Sequence, residues 1–178
     1  MPTLEAVTQN IKNHKKIVDR DFKEPMSKPK NKQIKTKFES KWTSKSLESL
    51  EKDIWGEPEY DSYLVTTCHR LRKKQLKDFD IEDLRIMIGQ NIGLKFLIPL
   101  AIDRLKENIL AEGDFYEGDL LKAVLTSEAA YWREDKESWK KIIDLFNNNI
   151  ETLNNTDIIS KIRKERFDAF SEFEKFNN

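Results

Sequence analysis

The chain has a single cysteine, Cys68, among 178 residues, which excludes an internal disulfide and fits a reducing compartment. Histidine is nearly as scarce: His14 and His69 stand far apart in the sequence. A zinc or catalytic role for His69 beside Cys68 would need further soft ligands, and there is neither a second cysteine nor a helical H-x-x-x-H pair. The expected role of Cys68 is that of a small core residue on a helix, with His69 at its edge. Five glycines and five prolines are too few for a β-sandwich with many tight turns. No apolar run approaches the ~18 residues of a membrane span, and MPTLEAVTQNIKNHKK lacks a signal-peptide core, so a cytoplasmic protein with no membrane partner is expected. The glycine-rich phosphate cradles and the G-x-S-x-G nucleophile turn are missing too, so neither an enzyme nor a bound cofactor is expected.

What the chain has in quantity is charge, 36% of residues against 38% hydrophobic, the balance of a highly charged helical protein. Its length suits one domain with a real core. The formal net charge of zero hides an asymmetry. Residues 1–41 hold eleven Lys/Arg and five Asp/Glu, net +6, which leaves twenty-one basic and twenty-seven acidic residues, net −6, for the remainder. An acidic body attracts basic partners. The division expected is a basic N-terminal arm or linker over residues 1–43, with a possible short helix, and a helical domain over residues 44–178.

Apolar spacing gives the elements. Thr3 suits the cap of a first helix bearing Leu4, Val7, Ile11 and Val18; from Phe22 to Trp42 the chain carries Pro25, Pro29 and six later lysines, an extended linker in which Ile34, Thr36 and Phe38 alternate as a short strand would. Thr43 or Ser44 then caps a helix with Leu47, Leu50 and Ile54, closed by Trp55-Gly56. Asp61 or Ser62 caps the next, which carries Leu64, Cys68 and Leu71, with Arg70, Arg72, Lys73 and Lys74 complementing the dipole of its last turns. Asp80 caps a central helix with Ile81, Leu84, Ile88 and Ile92 on one face, and Gly93 ends it. Leu94, Leu97, Ala101 and Leu105 begin a second, in which Pro99 marks a start or a kink. A third opens at Asp119 with Leu120, Leu121, Val124 and Leu125. Asp135 starts an amphipathic helix with Trp139, Ile142, Ile143, Phe146, Ile150 and Leu153, and Asp157 a last one with Ile159, Ile162, Ala169, Phe170 and Phe173 inward, interrupted by Arg166. The fold expected is a single irregular all-α bundle of about six to eight helices.

The loop carrying Glu112, Asp114, Glu117 and Asp119 has carboxylates enough for a divalent metal. A calcium loop, however, needs an oxygen ligand where Tyr116 stands and a closing Glu at its twelfth place, which is Ala123. No metal is expected; capping and turn formation by Gly113, Asp114, Gly118 and Asp119 account for the residues.

The run DIEDLRIMIGQNIGLKFLIPLAIDRLKENILAEGDFYEGDLLKAVL, residues 80–125, resembles the central signature of bacterial contact-dependent growth inhibition (CDI) immunity proteins: a helix with EDLR and IGQ, a PLA helix, then an EGD-Y-GDLL turn. Trp55, the segment Tyr60–Cys68 and Tyr131–Trp132 extend the resemblance to about residues 45–132. It implies an antidote without catalysis, which binds the C-terminal toxin domain delivered by a neighbouring cell in a one-to-one complex and blocks its active site. Such toxins are often nucleases with basic clefts, which an acidic surface fits. Gly89, Gln90, Gly93, Pro99, Gly113, Asp114, Tyr116, Gly118 and Asp119 fall in the motif and are expected to be structural. Toxin contacts are expected at two other acidic clusters, Glu57, Glu59 and Asp61 around Pro58, and Asp78, Asp80, Glu82 and Asp83 at the start of the central helix, though capping and a solvated face explain any one of them as well. Two alternatives stand beside this. A nucleic-acid-binding helical module would use the lysine-rich arm, which offers only Phe22, Phe38 and Trp42 for stacking. A small enzyme would show turnover.

Overall fold

Capping groups place the helix starts in the computed structural model, which describes residues 42–58, 62–155 and 159–177. The Ser46 hydroxyl accepts the Ser49 N–H at 3.4 Å and opens α1 (Leu47–Glu51); the Ser62 hydroxyl accepts the Val65 N–H at 3.3 Å and opens α2 (Tyr63–Lys73). Asp80 opens α3 (Ile81–Gly89) with a reciprocal capping box: its carboxylate accepts the Asp83 N–H at 2.8 Å, and that of Asp83 accepts the Asp80 N–H at 3.2 Å. Left-handed glycines precede the next two, Gly93 (φ +68) before α4 (Leu94–Glu107) and Gly118 (φ +81) before α5 (Asp119–Leu125). α6 (Ala129–Glu134) leads to Asp135, which accepts the Ser138 N–H at 3.0 Å and starts α7 (Lys136–Asn148); α8 (Ile150–Asn154) and α9 (Ser160–Glu174) complete the chain. Two 3-10 turns, Leu76–Asp78 and Lys175–Asn177, are added, and among the described residues there is no strand beyond one isolated bridge between Ser46 and Gln75.

The apolar faces of these helices meet around α3. It packs against α5, α4 and α2; α4 in turn carries α7, and α9 lies on α5. Leu84, Ile88, Leu97, Ala101, Leu105, Leu121 and Leu125, expected to be buried together, are each at most 1% exposed and share one core. Trp42 joins this body against Phe96, at 6.3 Å between ring centroids, and the Thr43 carbonyl accepts the Lys77 N–H at 2.7 Å. An aromatic cluster ties the C-terminus down. Phe146 stacks on Phe170 at 3.7 Å and meets Phe167 edge-on at 5.2 Å, while Trp132 meets Phe173 edge-on at 4.9 Å. Its polar atoms are satisfied: the Trp132 Nε1–H donates to Ser127 Oγ at 2.8 Å, the Trp139 Nε1–H to the Phe173 carbonyl at 3.0 Å, and the Asn177 amide to the Trp132 carbonyl at 2.8 Å.

Several boundaries differ from the sequence reading, each for a local reason. α3 ends at Gly89, not Gly93; Asn91 turns left-handed (φ +58), so Ile92 leaves the helical face although its spacing continues that face. Gly93 serves α4 instead, where a Cβ would stand 2.8 Å from the Leu47 side chain. Pro99 neither starts α4 nor stands in its first turn, and as a helix-interior proline it leaves the Lys95 carbonyl without its usual donor. α1 is capped by Ser46 rather than Thr43 or Ser44, and it ends at Lys52 (φ +55), leaving Ile54 80% exposed. The helix from Asp135 breaks at Asn149, whose side-chain amide turns back to donate to the Leu145 carbonyl at 2.8 Å. In α9 Ile159 is exposed, while Arg166, read as an interruption of the apolar face, is itself buried. The early elements expected before Trp42, and Asp157 as a helix start, lie outside the described residues.

Replacing Leu97 by Ala removes a fully buried side chain from the centre of this core. Urea unfolding should show a loss of about 2–5 kcal/mol, with the slope of the transition unchanged.

Candidate functional site

The first turn of α3 and the loop between α4 and α5 form one polar assembly. Glu82 and Arg85 lie three apart on α3, hence on one face, and they pair bidentately, Arg85 Nε and Nη2 each donating to Glu82 at 2.6 Å. Glu82 also accepts the Asp114 N–H at 3.0 Å from the loop. The Arg85 guanidinium, first by hydrogen bond and then by charge, together with that N–H, holds the Glu82 carboxyl below its ordinary value. Arg85 lies over the Phe115 ring, 4.4 Å from its centroid.

Asp119 closes the assembly from the other side. Its buried carboxylate accepts the Gly113 N–H at 2.7 Å and the Phe115 N–H at 3.2 Å, with Arg85 Nε 3.6 Å away. This corrects the expectation that Asp119 caps the third helix. The cap position belongs to Gly118, and Asp119, the first helical residue, folds the loop back instead. A Cβ at Gly113 would stand 2.4 Å from Glu82 Oε2, so any side chain there would push that carboxylate out of its pair with Arg85. Gly118 is needed twice over, for its positive φ and because a Cβ would stand 2.7 Å from Arg166 Nη2. Arg166, on α9, donates from that nitrogen to the Glu117 carbonyl, and burial pushes its pKa down. Tyr116 is half-buried under the same loop, its phenol pushed up by burial.

An open groove of about 510 Å³ runs beside this assembly, between the start of α3, the end of α4 and the loop. Asp80, Glu82, Glu107, Glu112 and Asp114 line it, against a single cation, Arg104, with Ile81 and Ala111 among its apolar residues. It therefore joins part of the acidic cluster expected for toxin contact to the loop expected to be scaffold. Asp78 and Asp80 are exposed, Glu82 is half-buried in its pair with Arg85, and Asp83 is buried, paired with Lys74. Of the other cluster, Glu57 is exposed beside Pro58, while Glu59 and Asp61 lie outside the described residues. Gly89 and Gln90 end α3 at the surface, away from the groove. Among the described residues no group of three or more His, Cys, Asp or Glu is arranged to hold a metal ion. Cys68 is buried, its thiol pushed up by burial, and His69 meets the Trp55 ring edge-on at 5.0 Å.

Sequence reasoning missed the cations. Arg72, assigned to the dipole of α2, is buried: it donates to Glu51 and, at 3.2 Å, to Asp53, and lies 4.2 Å from the Trp55 ring centroid. The Glu82–Arg85 spacing was a usable signal, and so was helical register, since Arg72 stands four residues after Cys68 and Arg166 four after Ile162; what the sequence does not carry is the partners that bury them.

Two stability predictions follow from this geometry. Asp119→Ala leaves the part-buried Gly113 and Phe115 N–H groups without their acceptor and should cost about 1–3 kcal/mol in urea unfolding. Glu82 has a depressed carboxyl pKa in the folded state, so its stabilisation is present above its ordinary value of 4.5 and lost as pH falls through the lower folded value. Melting of Glu82→Gln against wild type should therefore show a destabilised variant at neutral pH, and the two curves should converge in acid.

The comparisons with known proteins bear on the same region. No curated protein and no solved structure matches the chain. The profile of one family, CDI immunity proteins, matches residues 49–142, which include α2 to α5, the loop and the groove. With more than half of its 178 residues matched, the chain belongs to the family of CDI immunity proteins.

Proposed function

We propose that this protein neutralises its toxin by seating on the toxin domain in a one-to-one complex and occluding its active site, and that the toxin is a nuclease with a basic cleft. CDI immunity proteins are non-enzymatic toxin inhibitors, so a cognate CDI toxin is the partner. The family match carries the reading. The acid excess of residues 42–178, net −6, supports the basic cleft, because opposite charge raises the rate of encounter and a nuclease must be basic where it holds phosphate. That no helix among the described residues is long and apolar enough to cross a membrane agrees with action in the cytoplasm.

The contact residues we propose are Glu57, Glu59 and Asp61 on one side and Asp78 and Asp80 on the other. Glu82 and Asp83 belong to the same cluster in sequence, but they act mainly within the fold, in pairs with Arg85 and Lys74. Specific interfaces bury about 1,200–2,000 Å² and depend on a few dominant contacts, so these charges serve encounter more than affinity.

Reversing Glu57, Glu59 and Asp61 together to Lys should slow association with the cognate CDI toxin domain, most strongly at low salt, and change dissociation much less. The measurement is association rate against ionic strength for wild type and triple variant, with protection of a susceptible cell as a parallel readout. A wild-type rate indifferent to salt would rule out steering; turnover of a substrate, or salt-dependent binding of DNA or RNA with no protein partner, would replace the immunity mechanism altogether.

A further inference from the structure

We propose that the groove between the start of α3, the end of α4 and the loop receives a lysine- or arginine-bearing loop of the toxin, with Phe115 as the apolar anchor of that contact. The inference rests on the toxin-binding reading and gives it a location. Its volume of about 510 Å³ lies within the roughly 300–1,000 Å³ of sites that enclose a ligand, enough for a protruding loop.

The lining selects the charge of the occupant. Glu82 is neutralised by Arg85, and Arg104 stands 3.5 Å from Glu107, which leaves Asp80, Glu112 and Asp114 as excess negative charge facing the groove. Anionic ligands are repelled, while the apolar atoms of Ile81 and Ala111 suit the aliphatic stem of lysine or arginine, whose charged end then meets the carboxylates. A second copy of this chain fits poorly, since a two-fold contact would set this acidic face against itself.

Phe115 supplies what charge does not. It is 68% exposed, yet it is held: its N–H is bound by Asp119 and one face of its ring by Arg85. A large aromatic side chain fixed before binding loses little freedom on contact, which is the property of a dominant interface anchor. The loop thus divides its labour: its backbone is tied inward, through Gly113, Asp114 and Phe115, and its Glu112 and Phe115 side chains face out.

The test uses the full chain and its cognate CDI toxin domain. Phe115→Ala and Glu107→Lys/Glu112→Lys are measured for affinity, dissociation rate and melting, with Glu137→Lys, an exposed reversal on α7, as control. Phe115→Ala should weaken binding about 30-fold, the factor that corresponds to about 2 kcal/mol for a dominant anchor, chiefly through faster dissociation. The double reversal should weaken it at least about tenfold with melting unchanged, and Glu137→Lys should bind as wild type. If wild type binds and the groove variants bind equally well, the groove is overturned while the immunity reading stands. If wild type does not bind the toxin domain, both fall. A wild-type dimer in sedimentation that Phe115→Ala dissociates would assign the face to self-association and overturn the proposal.

Discussion

The buried carboxylate of Asp119 is the point on which the loop between α4 and α5 and the groove beside it depend. Placed between the Gly113 and Phe115 amides, with Arg85 nearby, it converts the eleven-residue loop between α4 and α5, with its two glycines, into a fixed surface. A carboxylate accepts such bonds more strongly than a neutral oxygen, and burial strengthens them further. Arg85 must then be balanced as well, and Glu82 balances it from one turn away while holding the Asp114 amide. The groove beside α3 has its form because these groups are spent on one another.

The same logic recurs wherever the fold is short of apolar surface. α1 has only five residues and is held to α2 through Arg72, which gathers Glu51 and Asp53 and lies against Trp55. α9 is held to the loop by Arg166, admitted because Gly118 has no side chain. Asp83 both caps α3 and neutralises Lys74. Short helices cannot hold themselves together by propensity, so single polar ties between elements fix positions that packing alone would leave loose.

The consequence for function is a separation between inward and outward carboxylates that sequence proximity conceals. Asp78, Asp80, Glu82 and Asp83 lie within six residues, yet two face solvent and two are consumed inside. An inhibitor that must fit one partner benefits from such a scaffold, because a rigid set of inward ties leaves the outward side chains free to match the toxin. In the proposed complex, long-range attraction is assigned to the acid excess of residues 42–178 and affinity to desolvated contacts such as a fixed aromatic ring can make.

The helical class, the central helices and the buried set from Leu84 to Leu125 were legible in the sequence, because apolar spacing and caps are local and each helix carries its own record of which face is inside. The family was legible for a related reason, since its signature is the run that builds that core and its loop. Ile92 shows where spacing misleads: four residues after Ile88 it keeps the helical period, but a left-handed Asn91 has already turned the chain. Asp119 shows the other limit. Its place before a run of leucines suggests a cap, and only the return of the loop brings Gly113 and Phe115 to its carboxylate. Arg166 keeps the period of the inward face of its helix, but its partner, a carbonyl forty-nine residues away, is not written in that period. Pattern determined which residues form helices and which faces they bury; the tertiary structure alone decided which charges are spent inside and which face solvent, because that choice is made by neighbours distant in the chain.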